Sequence, residues 1–157
     1  MRDLGRSDLL ACCASTRWAD AVAAHQPYRT LAELTEASER ALAETDWPDV
    51  LEALAAHPRI GDRDEGGDRE AAWSRAEQSG TAHADAALLE ALRQGNQAYE
   101  RRFGHVYLIC ATGRSAGEML DLLLARLAND EEVERKIVRD ELAKIVKLRL
   151  VKLWEGR

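Results

Sequence analysis

Apolar positions recur along this chain at three- and four-residue spacing, in stretches separated by Ser, Thr, Asp, Pro or Gly, the pattern of amphipathic helices with capped ends. Ser7 and Ser15 are read as N-caps of helices over 8–14 and 16–25, with Pro27 just beyond the second. Thr30 opens a third over 31–44, which puts Leu31, Leu34, Ala41 and Leu42 near one face. Asp46 and Pro48 restart the chain as a helix over 48–56, and Pro58 stops it. Helices are predicted again over 69–79 and, past Gly80, over 84–102, with Gly104 as the terminator. Ser115 and Glu118 form a capping box for 116–128, and Asn129 or Asp130 caps a long last helix reaching Trp154.

Two stretches break the pattern. The segment RIGDRDEGGD, 59–68, is Gly-rich and charged, the strongest loop signal in the chain, and its 61–68 part is a candidate lid over a pocket. HVYLIC, 105–110, has β-branched and aromatic character but no second strand to pair with, so it is either a buried extended segment or a helix start. No internal repeat or second domain is evident. The fold expected is all-α, one compact multi-helix domain over 1–157 with about seven to nine helices.

Composition agrees with that expectation and narrows the function. Hydrophobic residues make up 46% and charged residues 32%, with few Gly and Pro, a balance that favours helices. The net charge is −6 with both signs interleaved, so no basic stripe offers itself to a phosphate backbone and nucleic acid is not expected as a partner. No apolar run approaches the ~20 residues that cross a bilayer, and the polar start MRDLGRSD lacks a secretory core. A soluble, cytoplasmic protein without a membrane partner is expected. Cys12, Cys13 and Cys110 give neither a disulfide framework nor a zinc spacing, and the four histidines show no metal motif, so catalysis is expected to rest on side chains alone, without metal or cofactor.

Several polar residues sit where helix geometry makes them conspicuous. On the last helix Leu142, Ile145, Arg149 and Leu153 share a stripe, placing a guanidinium among apolar neighbours. Arg149 is there either as a buried structural ion pair or snorkelling chain, or as the planar fork that receives a substrate carboxylate. His57, directly before Pro58, is either a cap at a helix C-terminus or an imidazole turned away from the helix as a proton donor. Ser74, Glu77 and Gln78 share a face, either merely solvated or a convergent hydroxyl, carboxylate and amide.

Taken together, HPRIGDR (57–63), SRAEQSG (74–80), NQAYERRFGHVYLICATGRS (96–115), RLAND (126–130) and ELAKIVKLRL (141–150) resemble the 2-oxo-4-hydroxy-4-carboxy-5-ureidoimidazoline (OHCU) decarboxylase family, with STRWADAV (15–22) in keeping. The resemblance covers nearly the whole chain in order. It implies an all-helical, homodimeric enzyme without metal or organic cofactor, acting after urate oxidase and hydroxyisourate hydrolase to give (S)-allantoin. It makes His57 the proton donor, with Arg149 meeting the substrate's anion, and assigns Pro58, Ser74, Arg75, Ala76, Glu77 and Gln78 to the substrate site; Glu77 is then expected to hold the His57 imidazole in one tautomer. Tyr107, Leu108, Ile109, Cys110 and Ala111 are implied as the other wall, acting through main-chain groups. The family's usual F-G-F-P-F is replaced here by Phe103-Gly104-His105-Val106-Tyr107, which changes two ring positions and a proline. A helical dimerisation or sensor module and a ring-opening hydrolase are the competing classes; the first has no recognition helix or basic arm to support a regulator, and the second has no activated nucleophile.

Overall fold

The computed structural model describes residues 4–62 and 67–156. The candidate lid, 61–68, therefore falls in part outside the described residues. Among these residues the regular structure is helical throughout: α1 (Arg6–Cys12), α2 (Thr16–Ala24), α3 (Leu31–Ala43), α4 (Trp47–Leu54), α5 (Arg69–Glu77), a 3₁₀ turn (Ser79–Thr81), α6 (Ala86–Phe103), α7 (Ala116–Arg126) and α8 (Glu131–Trp154). They form two compact units, one comprising the chain up to Ala56 together with the chain from Ala143, the other spanning His57–Leu142.

In the first unit the predicted caps do their work locally. The Trp18 amide donates to Ser15 Oγ (3.2 Å) and the Glu33 amide to Thr30 Oγ1 (3.1 Å), each satisfying one orphan donor at a helix start. The first helix begins earlier than expected. The Gly5 amide donates to Asp8 Oδ2 (3.1 Å), so Gly5 occupies the cap position and Ser7 lies inside the first turn. α2 packs against α1 and α3. Its Trp18 is fully buried and donates through Nε1 to the buried Ser38 Oγ (3.1 Å), the partner an indole needs when it leaves water.

The second unit is built on α6 and α7. Ile60, Leu92, Tyr99, Tyr107, Ile109, Met119 and Leu123 form its apolar core. Gly95 permits the helices to approach closely, because a Cβ there would stand 3.0 Å from Leu123 Cδ2. Gly104 ends α6 in the left-handed region at φ +80°, which a side chain would strain. From there the chain runs through 105–110 without helix, deciding between the two expectations for HVYLIC in favour of a non-helical, largely buried segment. His105 and Tyr107 fill the ring positions of the family pattern in their own way. His105 stacks on Phe103 (6.3 Å) and meets the Tyr99 ring edge-on (5.5 Å), while Tyr107 packs edge-on against Tyr99 (5.3 Å). The hydroxyl that Tyr107 adds is satisfied by the Met119 carbonyl (3.1 Å).

Beside these rings lies a buried polar network. Glu134 receives Nε and Nη2 of Arg126 (2.9 and 2.5 Å), Nδ2 of Asn129 (3.2 Å) and the Tyr99 hydroxyl. Burial pushes the Tyr107 hydroxyl up to about 12 and raises that of Tyr99, which also donates to Glu134. Burial alone would lower the Arg126 pKa, but Glu134 outweighs it and keeps the guanidinium charged.

Candidate active site

α5 carries the Ser74–Gln78 group because Asp68 caps it, its Oδ1 accepting from the Ala71 amide (2.8 Å). The helix ends at Glu77, so the three polar side chains occupy its last turn and the residue beyond. Ser74 and Glu77 are buried and Gln78 half-buried, which sets aside the purely solvated face. Arg75 is half-buried and Ala76 exposed.

His57, half-buried, stands in a bend beyond the C-cap of α4. The chain that follows, 59–61, is held by side chains from elsewhere in its unit. Gln78 Oε1 accepts from the Gly61 amide (3.0 Å) and its Nε2 donates to the Arg59 carbonyl (3.4 Å). Buried Asn96 on α6 donates to the Ile60 carbonyl (2.7 Å), and Arg59 forms a bidentate pair with Glu100 (2.8 and 2.9 Å). Gln78 thus has a positioning contact on the loop in addition to any part in binding.

A cleft of about 310 Å³ opens between this loop and the end of α5. Pro58, Gly61 and Asp62 line it from the loop, Ser74, Arg75 and Gln78 from α5, and Ser79, Thr81, Ala82 and Leu89 complete it. Its size is at the lower end for small-molecule sites, and its lining mixes a cation, hydroxyls and an amide with apolar surface. Gly80 stands between Ser79 and Thr81 of that lining: a Cβ there would fall 2.0 Å from the Arg114 carbonyl, so only glycine lets the 3₁₀ turn lie against the approach to α7. A second cleft of about 380 Å³ is lined by Arg59, Asp62, Arg93, Asn96, Gln97, Glu100 and Arg101. Two of its arginines are already matched by carboxylates, Arg59 by Glu100 and Arg93 by Glu90, so the smaller cleft is the better candidate.

Of the residues read from sequence, the structure brings Pro58, Ser74, Arg75 and Gln78 into one cleft. His57, Ala76, Glu77 and Tyr107–Ala111 are not on its lining. Arg149, in the other unit, is buried and donates through Nη1 to the Ala11 carbonyl (3.1 Å). Sequence reasoning passed over Asp62, Ser79 and Thr81, which looked like ordinary loop polarity, and the clamp by Asn96. The signal for Asn96 was its place between Leu92 and Tyr99 on a buried helical stripe. Among the described residues no group of three His, Cys, Asp or Glu side chains is placed to hold a metal, and no helix is long and apolar enough to cross a membrane.

The sequence model of the family described as OHCU decarboxylase matches residues 4–151. The chain is similar to the uric acid degradation bifunctional protein TTL of Arabidopsis thaliana, 33% identical over 159 residues, a match covering 99% of this chain and 49% of that protein. It therefore spans about half the length of that relative. It is also similar to 2-oxo-4-hydroxy-4-carboxy-5-ureidoimidazoline decarboxylase of Haloferax volcanii, 27% identical over 134 residues, covering 83% of this chain and 77% of that one. Among solved structures, a crystal structure of OHCU decarboxylase in the presence of (S)-allantoin superimposes with a TM-score of 0.83 at 31% identity, covering 96% of this chain and 99% of the other.

Proposed function

Because the chain belongs to the OHCU decarboxylase family, we propose that it removes CO2 from 2-oxo-4-hydroxy-4-carboxy-5-ureidoimidazoline and forms (S)-allantoin, a step of urate degradation. The observation that carries this reading is the cleft of about 310 Å³ in which Pro58, the neighbour of His57, meets Ser74, Arg75 and Gln78.

The chemistry asks little of a protein. The carboxylate and a hydroxyl sit on one tetrahedral ring carbon beside a C=N bond. When the bond to the carboxylate breaks, its electron pair moves into that C=N, so the ring is its own electron sink and a cofactor-free reaction is expected. The nitrogen of that C=N takes up one proton, and the enol so formed gives up its hydroxyl proton as the carbonyl forms while the ureido-bearing carbon receives one. In this proposal His57 moves these protons, Glu77 orients its imidazole, and the Ser74 and Gln78 pair fixes which ring face is protonated. General acid-base help of this kind contributes roughly 10²–10⁴ in rate. Arg75, on the cleft wall, offers a cation to the polar groups of the substrate. The resemblance assigns the substrate's anionic group to Arg149 and the ring edges to the main chain of Tyr107, Leu108, Ile109, Cys110 and Ala111, with Ala76 beside them.

The test is to add the protein to freshly generated ureidoimidazoline and follow circular dichroism. Wild type is expected to accelerate formation of the S enantiomer and His57→Asn to abolish the acceleration while the far-ultraviolet spectrum is kept. Racemic drift at the uncatalysed rate with wild type would refute the activity, and S-selective turnover by His57→Asn would remove His57 from it. The proposal extends to one homodimeric, single-domain, cytoplasmic enzyme; light scattering on the purified chain and a single cooperative unfolding transition test the first two.

A further inference from the structure

Resting on the reading above, the geometry points to Glu141 as a positioning residue for the substrate-binding wall 107–111. Glu141 lies on α8 and is buried, and its Oε1 accepts from the Cys110 amide (3.1 Å), thirty-one residues away in the chain. A buried carboxylate is costly to desolvate, and this one gives a charge-assisted bond to a main-chain N–H of a non-helical segment, which fixes the direction of that amide. Two residues before Cys110, the Leu108 carbonyl accepts from Arg126 Nη1 (2.7 Å), and Tyr107 is anchored through its hydroxyl to Met119. Arg126 and Glu141 together hold main-chain groups of Leu108 and Cys110, one on each side of Ile109 along the chain. The wall's orientation is set by two charged groups that need not touch the substrate, and Arg126 is itself neutralised and held by Glu134.

Two variants separate this role from plain stabilisation. Glu141→Asp keeps the charge but draws the carboxylate back by one methylene, whereas Glu141→Gln keeps both length and acceptor oxygen. With kcat, KM and the S fraction of the product measured per folded molecule, Glu141→Asp is expected to lose roughly tenfold or more in kcat/KM and part of its S selectivity. Glu141→Gln is expected to retain most of both. An aspartate variant with wild-type kinetics and selectivity, or a glutamine variant as impaired as the aspartate one, would overturn the assignment. So would parallel losses confined to melting temperature. The wild-type control keeps the two readings distinguishable: if wild type makes no (S)-allantoin the proposed function fails, and if it does while the aspartate variant is unchanged, only the positioning role fails.

Discussion

Replacing Glu134 by Leu removes the one carboxylate that neutralises Arg126 inside the second unit. In the native protein Glu134 receives two bonds from Arg126, one from Asn129 and one from the Tyr99 hydroxyl, while the guanidinium also holds the Leu108 carbonyl and lies over the Tyr107 ring at 4.8 Å. Both partners are buried. A leucine would leave that charge in a low-dielectric site with no anion and would orphan a phenol and an amide, a situation that costs about 3–5 kcal/mol. A chain of this size moves by about 2–4 °C per kcal/mol, which makes the expected fall in melting temperature roughly 6–20 °C. Far-ultraviolet circular dichroism in thermal and urea unfolding measures it. The double variant Arg126→Met/Glu134→Leu should recover part of the loss, because it removes the uncompensated buried charge and leaves only neutral groups, the Tyr99 hydroxyl, the Asn129 amide and the Leu108 carbonyl, without these partners. The exposed pair Arg93 and Glu90 is the control: Glu90→Gln should leave the melting temperature where it is. A loss below about 1 kcal/mol for Glu134→Leu, or a double variant no better than the single, would refute the argument.

Three further outcomes follow from the same geometry. Gly80→Ala has no room beside the Arg114 carbonyl at 2.0 Å, so the 3₁₀ turn must shift; a raised KM with a lowered melting temperature is expected, and unchanged kinetics would detach this turn from the cleft. Stability should hold up to about pH 9 and fall above it. Burial pushes the Cys13 thiol from an ordinary value near 9 up to about 12 and Tyr107 from 10 up to about 12, so the unfolded chain releases these protons first and is favoured as pH climbs through that window. Urea midpoints at about pH 8 and about pH 10.5 check this, and equal midpoints would contradict it. Arg149→Met should raise KM more than it lowers kcat if the guanidinium meets the substrate's anion; a variant altered only in stability would leave it the structural role its bond to the Ala11 carbonyl already supports.

What the sequence determined by itself was the local chemistry. Helix periodicity, the Ser15, Thr30 and Ser115 caps, and the Gly104 terminator act within a few residues, so their signals sit next to their effects and survive reading along the chain. The first helix shifted because Gly5 and Ser7 both offered a start, and the reach of Asp8 to the Gly5 amide decided it. The family resemblance was likewise legible, since its motifs lie in order along one dimension. Tertiary structure alone decided which polar side chains left water and whom they met. Gln78 was read as a substrate contact but also clasps the 59–61 loop, seventeen and nineteen residues distant. Asn96 and Glu141 stand in the motifs of the resemblance with no partner legible there; folding brings them to the Ile60 carbonyl and the Cys110 amide. Periodicity says that such a residue faces inward. It carries no information about the partner, because a contact across thirty residues depends on where several helices come to rest and not on spacing within any one of them.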